Sequence, residues 1–361
     1  FATMETRRVG GAQETYSTFR RRVGEEFLPQ SWGVVGMSAL EESLAERDPY
    51  TRSPYRTELD LKENTGCLRD VGTLQKLADA LLEVPRLDKY WETMGGAESG
   101  ILTEPERETL ASAHDALLAA RNQLHFTRGS EFDTLEMKVQ PAIATALGYT
   151  GDGEAEEGVE KLMSGLFRHT GNVARILRRV GERFDHLHAV AWTGTGPAKR
   201  RRLESGFVEV EGKVYNAASP PFDEENRSRM MDVFLQAQRR HLPLSQDLLD
   251  QVSAHLELVD DDFRKDGDVA EIFRSLLAGS VGVADKLSRM RDCGLLERYM
   301  PELEPVVNLV KYEESYDYTI GEHVVEALRV IDRLVHSRET AEVDQREILS
   351  QIQRPDLLRL A

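Results

Sequence analysis

The chemistry in this chain is densest over thirteen residues, Glu58-Leu-Asp-Leu-Lys-Glu-Asn-Thr-Gly-Cys-Leu-Arg-Asp70. Alternation puts Glu58, Asp60 and Lys62 on one face of an extended strand and the leucines on the other. Carboxylates are hard oxygen ligands for a divalent cation, and a lysine is a counter-charge for a triphosphate. A glycine turn and the Arg69-Asp70 pair follow within the same thirteen residues. On residue types alone, the segment also fits a surface strand of mixed charge.

Other chemistry is sparse. There is no Walker loop, no Gly-x-Gly-x-x-Gly opening a helix, no Cys-x-x-Cys and no His-Glu-x-x-His. His186 and His188 would point to different faces of a helix, which disfavours a shared metal. His114-Asp115 has the residue types of a metal-binding pair, but it lies beside an apolar stripe and no histidine precedes it, so it reads as structural. Lys199-Arg-Arg-Arg202 has the charge to grip a phosphate or an acidic partner; its ordinary reading is a solvated loop.

The elements that must position these groups are mainly helical. Leu110, Ala113, Leu117, Ala120 and Leu124 form one apolar stripe over 103–125, with Thr103 and Glu106 spaced as a capping box and Pro105 in the first turn. A second long helix spans 156–184, carrying Val159, Leu162, Met163, Leu166, Phe167, Val173, Leu177, Val180 and Phe184. Shorter helices are expected at 71–83, 224–241, 246–258, 268–278 and 282–293, with Gly294 as a helix stop, and two more over 321–361. A β-hairpin is expected over 207–215 around Glu211-Gly212. Linkers are expected at 149–155 and 193–202.

Composition narrows the function. The 361 residues hold 46 Lys and Arg against 63 Asp and Glu, a formal charge of −17, which disfavours sequence-independent binding to nucleic acid. No apolar run reaches the length of a membrane span, and Phe1-Ala-Thr-Met opens no signal-peptide core. Two cysteines, Cys67 and Cys293, make no disulfide framework, and the expected location is cytoplasmic.

The segment Glu58–Asp70, continuing into Val71-Gly-Thr-Leu-Gln75, resembles the Glu-Pro-Asn-x-Lys-Glu-Gly-Pro-Gly-Gly-Leu-Arg-Asp-Leu-Gln-Thr-Leu signature of the bifunctional protein-PII uridylyltransferase/uridylyl-removing enzymes. Later stretches follow in the same order. They are Leu124-His125-Phe126 with Asp133, Leu135 and Gln140 through Tyr149; Val159 through His169; the hairpin; Phe234 through Gln238; Gly294-Leu295 with Pro301-Glu302; and Tyr318-Thr-Ile-Gly-Glu-His323.

That resemblance implies a mainly α fold: a helical bundle following the end of a polymerase β-like nucleotidyltransferase domain, a small hairpin, and the start of an α-helical HD domain. The implied boundaries are 1–70, 71–203, 204–305 and 306–361. The implied activity is transfer of UMP from UTP to a tyrosine of the nitrogen-signalling protein PII, and its hydrolytic removal in response to glutamine. Mg2+ or Mn2+ would act with UTP, and a divalent metal would serve the HD domain. Glu58 or Asp60 is the implied third carboxylate, with Glu58 preferred. Lys62, Arg69 and Asp70 would serve the phosphate side or brace the loop, and His323 would be the first HD metal ligand.

The chain departs from the signature at Asn64-Thr65 and at Cys67, where Gly-Pro and a second Gly are usual. It supplies no Gly-Gly/Ser element followed by Asp-x-Asp, and no His-Asp after His323. It therefore reads as the middle of a larger protein, inactive by itself. Two alternatives stand beside this reading: a related nucleotidyltransferase like the glutamine synthetase adenylyltransferases, which the Tyr318–His323 motif disfavours, and a non-catalytic helical protein-binding module, which Cys67 favours.

Overall fold

Side chains spaced three and four apart line one face of a helix, and such faces pack against each other to leave water. The computed structural model of the chain follows that logic. It describes residues 12–22, 38, 40, 43, 53–82, 101–129, 131–150, 155–193, 200–303, 319–336 and 343–360. The described residues fall into two compact units, one within 1–196 and the other within 197–311 and 318–361.

The first unit holds helices α1 (Gln13–Arg22), α2 (Leu68–Leu82), α3 (Glu104–Arg128), α4 (Gln140–Ala146) and α5 (Ala155–Thr193). Helix α3 starts after Thr103, whose N–H donates to the Glu106 carboxylate at 2.7 Å. It buries the expected stripe from Leu110 to Leu124. Every apolar position singled out on α5 from Val159 to Phe184 is also buried. Helices α2, α3 and α4 pack against α5. Two short strands, β1 (Leu59–Asp60) and β2 (Thr134–Leu135), pair antiparallel, Leu59 opposite Leu135 and Asp60 opposite Thr134.

The second unit opens with an antiparallel sheet, β3 (Arg200–Arg202), β4 (Phe207–Val210) and β5 (Lys213–Asn216), in that order. The β4–β5 hairpin turns at Glu211 and Gly212, both with positive φ (51° and 77°), the backbone of a tight two-residue turn. Helices α6 (Arg229–Arg239), α7 (Gln246–Ser253), α8 (Asp261–Lys265), α9 (Gly267–Leu277), α10 (Val283–Asp292) and α11 (Leu295–Tyr299) follow. Phe207, Val214, Phe234, Phe263 and Leu276 share their core. Gly294, at φ 79°, ends α10 as expected.

Three expectations change. Residues 321–361 contain three helices rather than two: α12 (Ile320–His336), α13 (Val343–Ser350) and α14 (Pro355–Leu360). Pro355 opens a helix of its own because a proline is tolerated only in a first turn. The arginine run is an exposed edge strand rather than a loop, since Arg200–Arg202 pair with Val210–Val208. The extended segment at Glu58–Lys62 stops at Asp60. Within the linkers expected at 149–155 and 193–202, residues 151–154 and 194–199 lie outside the described residues, as do the side chains of His186 and His188.

Candidate functional site

Strand β1 is held from three sides. Leu59, opposite Leu135, and Leu61 just after the strand are fully buried, leaving Glu58 and Asp60 half-buried on the other face. The Gln140 side-chain amide, itself buried, donates to the Thr57 carbonyl at 2.8 Å and the Leu135 carbonyl at 3.0 Å, tying β1 to β2. The Leu61 N–H donates to the Asp133 carbonyl at 3.0 Å.

After Asp60 the backbone turns. Asp60 Oδ1 accepts from the Lys62 and Glu63 N–H groups at 2.9 and 2.7 Å, while the Asp60 N–H donates to Asn64 Oδ1 at 2.8 Å. Such local bonds offer the backbone an alternative to a strand ladder, so Lys62 does not extend the Glu58–Asp60 strand face. Gly66 takes φ +81° and donates its N–H to Asp70 Oδ2 at 2.7 Å, with Asp70 fully buried at the start of α2. Cys67, where the signature usually has glycine, is fully buried, and its backbone stays out of the left-handed region. A side chain there fills the interior and strains nothing.

The cations are exposed around this turn. Lys62 Nζ lies 3.5 Å from Glu63, and Arg69 pairs with the same carboxylate at 2.6 Å. Glu58 Oε1 accepts the Met137 N–H at 3.1 Å. Glu58 and Asp60 therefore each have one oxygen engaged by backbone and a second that makes no hydrogen bond among the described residues.

Residues passed over as site candidates stand beside them. Asp133 accepts from Arg121 at 2.7 and 3.1 Å and pairs with His125 Nε2 at 2.8 Å. Burial pushes the Asp133 carboxyl up, but the Arg121 and His125 hydrogen bonds outweigh it and leave its pKa below the ordinary value. The hydrogen bond to Asp133 raises Arg121, and the charge of Asp60 adds to that effect. Glu136 pairs with Lys138 and Arg128, each at 2.6 Å, and both lower its pKa. His125, Asp133 and Gln140 lie in the block Leu124–Tyr149 that carried part of the resemblance; what marked them was their fixed spacing there, without any sign of their contacts.

The structure thus brings Glu58, Asp60, Lys62, Arg69 and Asp70 into one loop. His323 lies in the other unit, exposed on α12, its N–H donating to the Thr319 carbonyl at 2.8 Å. The neighbouring Glu322 is buried and pairs with Arg291 at 2.8 Å and Arg329 at 3.2 Å. His114 and Asp115 are 3.6 Å apart near the surface of α3. Among the described residues no group of three or more His, Cys, Asp or Glu has the arrangement to hold a metal ion. Also among them, no helix is long and apolar enough to cross a membrane.

Comparison with known proteins covers both units. Residues 37–180 match the family model described as GlnD PII-uridylyltransferase, and residues 207–299 match that of the uridylyltransferase GlnD third domain. The chain is 28% identical to a bifunctional uridylyltransferase/uridylyl-removing enzyme of Ruegeria pomeroyi over 80% of its own length and 32% of that protein's. To the protein of the same name from Azospirillum brasilense it is 28% identical, over 92% and 35%. To that of Pseudomonas putida it is 27% identical, over 99% and 39%. It therefore spans about a third of the length of these curated relatives. No solved structure matches it.

Proposed function

The chain belongs to the GlnD PII-uridylyltransferase family, and from that premise we propose that it is part of an enzyme that moves UMP from UTP onto a tyrosine of PII and hydrolyses it off again. In the forward reaction the tyrosine oxygen attacks the α-phosphorus of UTP, the P–O bond to the β-phosphate breaks, and pyrophosphate leaves. In the separate removal reaction, water attacks the phosphorus, the tyrosyl–phosphate bond breaks, and UMP leaves with the tyrosine hydroxyl restored. The intact protein would respond to glutamine and work in the cytoplasm. The division into 1–70, 71–203, 204–305 and 306–361 belongs to the same proposal.

The observation that carries this reading is the closed turn between β1 and α2. It lies inside the matched segment and presents two carboxylates, each with a spare oxygen, beside two exposed cations. Glu58 or Asp60 would supply a third carboxylate, and Lys62 and Arg69 a positive rim for phosphate. Asp70, holding the Gly66 amide, braces the turn. These carboxylates do not make a metal site by themselves. A need for Mg2+ or Mn2+ with UTP, and for a divalent metal at His323 in the removal reaction, would be met with ligands from elsewhere in the intact protein.

In the intact protein, Glu58→Gln or Asp60→Asn should lower transfer of UMP to PII by roughly a hundredfold, the scale for losing one preorganised charge, and leave removal intact. His323→Ala should do the reverse. Full transfer by both carboxylate variants would sink the assignment. The 361 residues alone, incubated with PII and UTP, are expected to catalyse neither reaction, because no Gly-Gly/Ser element followed by Asp-x-Asp and no later His-Asp is present.

A further inference from the structure

Among the described residues, the three-stranded sheet of the second unit has one covered edge and one open edge. On the β5 side, Val214 exchanges hydrogen bonds with the segment after α6: its N–H donates to Pro243, and its carbonyl accepts from Ser245, both at 3.0 Å. On the β3 side no described strand or loop pairs. The register fixes which backbone groups face outward there. Leu203 donates its N–H to Phe207 at 2.9 Å, so Leu203 with Phe207 and Arg201 with Glu209 are the hydrogen-bonded pairs of the β3–β4 ladder. Arg200 opposite Val210 and Arg202 opposite Val208 are the alternate pairs, and their N–H and C=O groups point away from β4.

The side chains on this edge carry one sign of charge. Arg200, Arg201 and Arg202 are all exposed. Arg201 forms an ion pair with Glu209 across the ladder. Arg200 and Arg202 share the opposite face and have no ion-pair partner among the described residues. A second copy docking edge to edge would bring arginine against arginine, which is repulsive. An acidic strand meets the reverse situation, with main-chain partners spaced two residues apart and a guanidinium above each.

We infer that the β3 edge is a docking site for an extended acidic segment of a partner protein, added as a fourth strand. Main-chain bonds to Arg200 and Arg202 supply the pairing, and acidic residues at every second position of the added strand meet the two guanidiniums. The pattern sought in the partner is acid–x–acid in an extended stretch. This surface is independent of the Glu58–Asp70 loop and does not rest on the uridylyltransferase reading.

The test uses the 361-residue chain and a fluorescein-labelled peptide of four Glu-Thr repeats, read by anisotropy at low and moderate salt. Binding is expected, with affinity falling as salt rises. The double variant Arg200→Glu, Arg202→Glu should weaken it by about tenfold or more, the scale of losing and reversing two exposed ion pairs. Methylating alternate peptide amides should abolish it, because those N–H groups are the ones a strand pairs. Unchanged thermal unfolding of the double variant shows that its fold is intact; if it fails to fold, comparing Arg202→Pro with Arg202→Ala isolates the outward N–H at an edge position where proline is tolerated. No binding by the wild type, equal binding by the methylated peptide, or equal loss in Arg202→Pro and Arg202→Ala would overturn the inference.

Discussion

A Cβ placed on Gly66 would lie 2.0 Å from the carbonyl oxygen of Thr170, inside helix α5. The loop bearing Glu58, Asp60 and Lys62 is thus pressed against the longest helix of its unit at a point where no side chain fits. The contact is reinforced nearby, where Thr170 Oγ1 donates to the Pro54 carbonyl at 2.8 Å and the Tyr55 and Phe167 rings meet edge to face. Gly66→Ala adds a clash with backbone to a positive φ of 81° and should cost roughly 2–4 kcal/mol. Urea denaturation measures it; a loss under about 0.5 kcal/mol would mean the loop does not sit on α5 as described.

Gln140 joins β1 to β2 through two buried carbonyls. Gln140→Leu keeps the volume but removes both side-chain hydrogen bonds, and about 1–3 kcal/mol should be lost. Gln140→Glu sets a carboxylate against the same carbonyls, which raises its folded pKa. A raised carboxyl pKa favours folding at low pH, so the deficit of this variant should widen as pH rises above about 4.3. Chemical denaturation at pH 4 and pH 7 separates the two cases, and a constant deficit would argue against the double acceptor.

Glu106 is buried at the head of α3, with Arg179 at 2.5 Å and Arg183 at 2.7 Å. Burial raises its pKa, but the Arg183, Thr103 and Arg179 bonds outweigh that, and the folded value lies below the ordinary 4.5. A depressed carboxyl pKa contributes stability that is complete above 4.5 and lost as pH falls through the folded value. Glu106→Gln should cost roughly 1–3 kcal/mol at pH 7, since it removes the charge that Arg179 and Arg183 share. That cost should shrink as the pH is lowered towards 3. A penalty independent of pH would show that packing, not charge, dominates.

Both thiols are sealed. Cys293 is buried, which pushes its pKa up to about 12, and Cys67 is fully buried beneath the Gly66 turn. Neither should react with a disulfide reagent at pH 8 in the native protein, because the thiolate is the reactive form and needs access. Both should react in urea. In Gly66→Ala, Cys67 should become reactive before Cys293, since only its cover has been disturbed; simultaneous exposure would indicate global unfolding instead.

The long helices, their buried stripes, the Thr103–Glu106 start and the Glu211–Gly212 hairpin were all legible in the sequence. Each depends on neighbours within a few residues, where helical periodicity or turn chemistry leaves a direct trace. The resemblance likewise put Glu58 through Asp70 in one group, because their spacing along the chain is itself the signal. Tertiary structure alone decided how that group is held. Strand β1 is two residues long, too short for a period to declare its partner, and it pairs with Thr134–Leu135 far along the chain. The reciprocal Asp60–Asn64 bonds end the strand before Lys62, and Gly66 takes its shape from the Thr170 backbone beneath it. Asp133 gathers Arg121 and His125 only once α3 has turned back beside β2. Closing such long loops costs entropy that no local preference repays; the buried leucines of β1 and β2 and the packing of α3 against α5 do, so these contacts appear only with the assembled core.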